Sequence, residues 1–179
     1  MIRQIVLDKP IQQQKGFTLI EILIVVILIG ILATIIIPQV RVSSDDAKLN
    51  TLKTNLARMR KAIEIYHYQH GNTYPGVKRA LNGDDVTNQS QAAISFFRQL
   101  TKYSEVTGNV SVIKTAAAKY GPYITGGRLP TNPFNDMDTV TCDITTTDIT
   151  VRTSDGTSGW KFYTQTGILL ANEGAHDGL

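Results

Sequence analysis

The most constraining feature of this chain is a run of nineteen residues without a charge, Ile22–Val40, directly preceded by one carboxylate, Glu21. About 20 predominantly apolar residues make a helix long enough to cross the hydrocarbon core of a membrane. A simple anchor gains nothing from the carboxylate, because an ionised Glu inside hydrocarbon is costly unless a partner neutralises it. The sequence therefore predicts a membrane-embedded helix in which Glu21 has a specific role.

Residues 1–16 have the character of a leader. A secretory signal is cleaved after its apolar run, beside small residues. Here the small residue, Gly16, precedes the run, so we expect a cut that leaves the apolar helix in a mature chain of 163 residues (179 − 16). The leader's net charge of +2 favours its retention on the cytoplasmic side; it comes from Arg3, Lys9 and Lys15 against Asp8.

The stretch Lys-Gly-Phe-Thr-Leu-Ile-Glu, residues 15–21, resembles the N-terminus of the type IV pilin and pseudopilin superfamily. The resemblance implies cleavage between Gly16 and Phe17 by a dedicated prepilin peptidase, which then methylates the new amine of Phe17. It also places Glu21 fifth in the mature chain, the position of the family's glutamate. A glycine alone would not indicate a cleavage site. Within this motif, however, Gly16 leaves the backbone accessible to a peptidase at the membrane surface.

For Glu21, the resemblance implies a role in assembly. A carboxylate and an ammonium attract each other more strongly in lipid than in water, and neither is stable there unpaired. Docking beside the Phe17 amine of a neighbouring subunit would neutralise Glu21 and set the axial register of a filament. The alternative is that Glu21 lies near the interface, stays hydrated and only sets the depth of insertion.

The pattern predicts one long helix from Phe17 to about His70. Its membrane and filament-core half would be residues 17–40, and its amphipathic half residues 41–70. Pro38 lacks an amide hydrogen and is expected to kink the helix, and Gly30 adds a second weak point. The resemblance implies that the segment between them unwinds partly in a filament, whereas a simple bend is the alternative.

The second half of the helix has a narrow apolar stripe with spacings of three and four residues, which predicts docking on a globular domain of the same chain. The stripe consists of Leu49, Leu52, Leu56, Met59, Ile63 and Tyr66. The Gly- and Pro-containing segment 71–76 ends the helix. Residues 71–179 would then form the globular pilin head.

Within the head, residues 91–103 have the pattern of a short helix with Ala93, Phe96, Phe97 and Leu100 on one face. Residues 139–153, rich in β-branched side chains, suggest one or two strands. Residues 159–163 and 168–171, separated by Thr-Gln-Thr-Gly, predict a hairpin. The expected fold class is α+β, a pilin-like fold with the long helix packed on a small antiparallel sheet.

Charge is unevenly distributed along the chain, whose overall net charge is +3. Residues 41–119 contain twelve basic and six acidic residues, and residues 136–179 contain two basic and seven acidic ones. This gradient could steer one subunit's C-terminal region against the helical stem of another, or it could be two solvated faces. Because +2 of this net charge belongs to the leader, no specific nucleic-acid partner is expected.

Cys142 is the chain's single cysteine, so no intrachain disulfide can form. Many major pilins cross-link their C-terminal region with a disulfide, and the lack of one favours a pseudopilin of type II secretion over a surface pilin. A chain without this disulfide relies for its stability on packing, a bound ion or its neighbours in an assembly. Cys142 itself is expected to be incidental rather than reactive.

No cofactor is predicted, and metal ligands stay unassigned. His67 and His70 have a spacing that can hold a metal, but a solvated pair is the favoured interpretation. Calcium is a secondary expectation, because major pseudopilins use a C-terminal calcium site. Hard oxygens are available, although the family's tail is not recognisable here; they belong to Asn135, Asp136, Asp138, Glu173 and Asp177.

No catalytic motif is present, so we expect a structural subunit rather than an enzyme. The resemblance implies a bacterial inner-membrane protein with a single span and a periplasmic head, polymerised into a filament. Its implied partners are further copies of itself, minor pilins or pseudopilins, the prepilin peptidase and an inner-membrane assembly platform. The alternatives are a type IV pilus subunit for adhesion, motility or DNA uptake, and a monomeric membrane-tethered binding module.

Overall fold

The computed structural model describes residues 16–179, with the side chains of residues 35–43 excluded. Most of the predicted leader, residues 1–15, and the side chain of Pro38 with its predicted kink lie outside this description. No helix among the described residues is both long enough and apolar enough to cross a membrane.

The elements, in chain order, confirm the α+β class: two helices are followed by short strands. They are α1 (Leu19–Gln69), α2 (Gln89–Thr101), β1 (Tyr103–Ser104), β2 (Val110–Ser111), β3 (Val140–Asp143), β4 (Trp160–Tyr163) and β5 (Ile168–Ala171). By their contacts the residues divide into an N-terminal unit that ends at Ser44 and a globular unit, Asp45–Leu179. Helix α1 contributes to both units.

In the globular unit, the predicted apolar stripe of α1 is confirmed as the centre of the core. Five of its six side chains are at most 2% exposed, and Leu49 is half-buried. Helix α1 ends at Gln69, one residue before the predicted end. Gly71 and Asn72 follow with φ of +62° and +60°, a left-handed conformation that glycine and asparagine adopt more readily than other residues.

Helix α2 confirms the predicted short helix, two residues earlier than expected at both ends. Asn88 caps it by accepting a hydrogen bond from the amide of Gln91 at 2.9 Å, which satisfies one of the free amides of the first turn. Its most buried apolar side chains are Ala92, Phe96 and Leu100, whereas the predicted Ala93 and Phe97 lie at the edge of the core.

The predicted hairpin is confirmed as β4 and β5, which pair antiparallel through Trp160–Ala171 and Tyr163–Ile168. The expectation of a wholly antiparallel sheet is wrong, because β3 pairs parallel with β4. Parallel neighbours need a connection of a dozen or more residues, and residues 144–159 supply it. Gly159 lies in this connection, where a Cβ atom would overlap the backbone of Met137.

The strand predicted over 139–153 is confirmed only for its first part, β3, and residues 144–153 form a loop. The carboxylate of Asp143 accepts hydrogen bonds from the amides of Thr145 and Thr146, both at 2.8 Å. Asp148 accepts one in the same way from the amide of Thr150. Through such local hydrogen bonds the backbone amides bind side chains instead of a neighbouring strand. The loop therefore forms despite the high β-propensity of the threonines.

Candidate processing and assembly site

The predicted cleavage point lies at an accessible position just before α1. Gly16 and Phe17 are both exposed, and the Phe17 side chain is 82% exposed. A Cβ atom placed on Gly16 would meet no atom within 4 Å, and its φ is not in the left-handed region. Nothing in the described residues therefore requires glycine at position 16.

Thr18 and Glu21 form a reciprocal cap at the start of α1. The amide and the hydroxyl of Thr18 donate to Oε2 of Glu21, at 3.2 and 3.1 Å, and the Glu21 amide donates back to the Thr18 hydroxyl at 3.3 Å. This is a capping box, in which side chains satisfy two amides that the first turn leaves free. The carboxylate is thereby held at the positive end of the helix dipole.

Beyond this cap, the N-terminal unit presents apolar side chains on every face. The large apolar residues from Phe17 to Leu32 are between 48% and 85% exposed. Thr34 donates its hydroxyl to the carbonyl of Ile31 at 2.7 Å, so it adds no free donor. Because soluble monomers seldom expose a large contiguous apolar surface, this one indicates burial in lipid or against other helices.

Gly30 lies within this apolar surface, and a Cβ atom on it would also meet no atom within 4 Å. The helix itself leaves this position open, so a neighbouring helix could approach its backbone closely here.

Thr18 is a site residue that the sequence analysis did not identify. Its signal was present in the spacing Thr-x-x-Glu, the usual pattern of a capping box.

The interpretation of His67 and His70 as a solvated pair is wrong. His70 is 3% exposed, its Nδ1 donates to the carbonyl of Tyr66 at 2.8 Å, and its Nε2 accepts from the hydroxyl of Ser104 at 3.0 Å. Its ring stacks on Tyr66, and burial lowers the pKa of His70 below its ordinary value. His67 is half-buried and stacks on Tyr74. Both nitrogens of His70 are thus engaged in holding the end of α1.

The structure brings no three His, Cys, Asp or Glu side chains into a metal-binding group within residues 16–179. Two of the calcium candidates have partners from the protein. Glu173 accepts a hydrogen bond from His176, and Asp177 accepts from the amide and hydroxyl of Ser154. Calcium binding therefore stays a prediction. Cys142 is fully buried in β3, and burial raises the pKa of its thiol.

The residues around this site match the family model for the prokaryotic N-terminal methylation motif, over residues 11–37. The chain is also 39% identical over 70 residues to type II secretion system core protein G of Pseudomonas aeruginosa, which covers 39% of this chain and 49% of that protein. The first part of the chain is thus similar to the type IV pilin and pseudopilin superfamily. No solved structure matches the chain.

Two further relatives show how the similarity is distributed. Type II secretion system core protein G of Aeromonas hydrophila is 28% identical over 82 residues, 46% of this chain and 55% of that protein. Type IV major fimbrial protein FimA of Dichelobacter nodosus is 49% identical over 51 residues, 28% of this chain and 33% of that protein. The matches to core protein G thus span about half the length of those relatives.

Proposed function

We propose that this chain is a structural subunit of a pilus-like filament, and specifically a pseudopilin of type II secretion. The observation that carries the proposal is the capping box at Glu21. It holds the one carboxylate between Phe17 and Thr34 at the first turn of a helix that is otherwise apolar on every face. Such a helix needs both apolar surroundings and a cation beside its carboxylate.

Processing would supply the cation. Cleavage after Gly16 turns the Phe17 nitrogen into an ammonium, which stays charged when it is methylated once. An ammonium at a helix N-terminus is disfavoured by the helix dipole, so it gains from a nearby carboxylate. The indifference of the fold to a side chain at Gly16 supports an external reason for the glycine: the active site of the prepilin peptidase.

Assembly would exchange the partners of Glu21. In a subunit stored in the inner membrane, Oε2 of Glu21 would keep the hydrogen bonds that it accepts from Thr18 of its own chain. In the filament it would pair with the Phe17 ammonium of a neighbour, which is a stronger partner in an apolar medium. The exposed apolar side chains around it would pack in the filament core, with Gly30 admitting a close neighbour.

The proposed localisation follows from the same features. The leader would remain cytoplasmic, residues 17–40 would lie in the inner membrane of a bacterium, and the globular unit would face the periplasm. The assembly platform, the minor pseudopilins and further copies of this chain would be its partners. The one cysteine of the chain, Cys142, is buried in the globular unit, so no intrachain disulfide can form there.

A type IV pilus subunit is the second candidate. The first part of the chain supports this candidate, because it is 49% identical over 51 residues to a type IV major fimbrial protein. The two candidates share processing and Glu21, and they differ in where the filament is found. Long fibres on the cell surface under native expression would support a pilus, whereas a defect confined to protein secretion after deletion of the gene would support a pseudopilin.

The test is filament assembly by variants of Glu21 in cells that contain the peptidase and the assembly platform. Glu21→Gln keeps the shape of the side chain and removes its charge, and Glu64→Gln is the matched control on an exposed face of the same helix. We expect Glu21→Gln to be inserted and cleaved normally but to form no filaments, while Glu64→Gln forms them. Filaments formed by Glu21→Gln would contradict the role proposed for Glu21, whereas a wild-type chain that forms no filaments would favour a monomeric membrane-tethered binding module.

A further inference from the structure

A groove of the globular unit lies beside α2, with a cavity volume of about 620 Å³. Its apolar lining comes from Phe97 of α2, Leu129 of the loop between β2 and β3, and Val140, the first residue of β3. Ile94 stands on its rim and is 53% exposed. We call this feature the α2 groove. An apolar groove of this size can take one branched aliphatic side chain with its neighbours.

The charged residues that line the α2 groove restrict which ligands can bind there. Two guanidinium groups, of Arg98 and Arg128, line it against one carboxylate, that of Asp138. None of the ion pairs found among the described residues involves Arg98 or Arg128. A fitting ligand therefore carries an apolar side chain for the floor and a carboxylate for a guanidinium, which favours bidentate pairing with carboxylates.

The same chain presents such a ligand at the far end of β3. In the loop after β3, Ile149 is 68% exposed and directly follows Asp148. Asp148 is exposed, and Thr150 orders its carboxylate by donating to Oδ1 from its amide at 2.8 Å and from its hydroxyl at 2.7 Å, which leaves Oδ2 for a partner. We call Asp148 and Ile149 the loop tip. Because Ile149 is exposed, it does not occupy the groove of its own chain.

We propose that the loop tip of one copy of this chain docks in the α2 groove of the next copy. The groove meets β3 at its first residue, Val140, and the loop leaves β3 after its last, Asp143. Donor and acceptor surfaces are therefore different surfaces of one unit, which makes the contact heterologous. Heterologous contacts that do not close into a ring propagate as helical filaments. This inference rests on the proposed function and names a contact between the globular units in that filament.

The test is cross-linking between two full-length variants expressed together, Ile94→Cys at the groove and Ile149→Cys at the loop tip. Cys142 can stay in both, because it is fully buried. Val106→Cys replaces Ile149→Cys in the matched control, since Val106 is also exposed and also follows a carboxylate, that of Glu105. Electron microscopy of the same cells records whether filaments form.

We expect a cross-linked dimer with Ile149→Cys and at least about tenfold less with Val106→Cys. Adding Asp148→Arg to the donor is expected to lower the dimer yield by a similar factor, because it sets like charges together. Filaments that form without the Ile94–Ile149 cross-link, or with an equal one at Val106, would overturn the inference and leave the proposed function standing. A cross-link in cells without filaments would support the inference and contradict the proposed function.

Discussion

Thr18 and Glu21 hold each other at the first turn of α1: the threonine donates twice to the carboxylate and accepts once from the glutamate's amide. The glutamate of the processing motif is thus already positioned within its own chain before any neighbour is present. Its carboxylate lies at the helix end where the predicted cleavage would create a new ammonium. The proposed exchange of partners during assembly starts from this geometry.

The first prediction concerns this cap. Thr18→Ala removes the hydroxyl, and loss of such a cap costs about 1 kcal/mol. We expect amide hydrogen exchange in the first turn, measured in detergent micelles, to become about fivefold faster. Thr18→Ser keeps the hydroxyl and serves as the control. Equal exchange rates for the Ala and Ser variants would contradict a capping role.

The second prediction separates processing from folding. Gly16→Val introduces a side chain where the fold leaves open space, so the helix content of the purified variant should not change. Cleavage should fall on the order of 10²-fold, because displacement of a reacting bond by about 1 Å is enough for such a loss. The control is Gly178→Val, another glycine in open space. Cleavage is measured by mass spectrometry. If Gly16→Val is cleaved normally, the steric explanation is refuted.

The third prediction concerns Gln99, which is fully buried in α2. Its side chain accepts from the Gly76 amide at 2.8 Å and donates to the carbonyls of Lys78 and Gly108, both at 2.9 Å. Gln99→Leu would leave these groups without a partner, at about 1–3 kcal/mol for each that stays buried. Denaturant unfolding of the globular unit, Asp45–Leu179, should show this lower free energy of unfolding.

The matched control for Gln99 is Gln165→Leu, since Gln165 is exposed in the hairpin loop. Surface substitutions of this kind usually change the free energy of unfolding by no more than about 0.5 kcal/mol. If the free energy of unfolding falls equally in both variants, the hydrogen bonds of Gln99 do not stabilise the packing of α2 against the loops around it.

The fourth prediction concerns acid. Burial lowers the pKa of His70 from its ordinary value of 6.5 in the folded chain, so the unfolded chain binds a proton more readily. The contribution of His70 to stability is therefore complete above about pH 6.5 and is lost as the pH falls through the folded-state pKa. We expect the melting temperature to decline below pH 6.5, and the decline to shrink in His70→Gln. An unchanged pH dependence in that variant would contradict the assignment.

Elements with a regular hydrophobic period could be predicted from the sequence. The stripe from Leu52 to Tyr66 repeats every three or four residues, and the same side chains form the core. The hairpin was predictable because four residues ending in glycine separate its strands, and Gly167 adopts a φ of +74°. In both cases the information is local to the segment.

The rest depends on distant contacts. The parallel partner of β3 lies beyond a loop of sixteen residues, residues 144–159, and nothing in the four residues of β3 specifies it. Gln99 and His70 are polar, which suggests exposure, yet groups from other segments satisfy them inside the core. In the site, the motif around Gly16 and Glu21 was readable, whereas the α2 groove exists only once three segments meet.

The most direct measurement is mass spectrometry of the mature N-terminus, on protein from membranes of cells with an intact prepilin peptidase. The filament-subunit proposal predicts a chain that begins at Phe17 with one added methyl group on its amine, and a chain of full length when the peptidase is absent. A chain that retains residues 1–16 in cells with the peptidase, or one that is cut beyond Pro38, would contradict it.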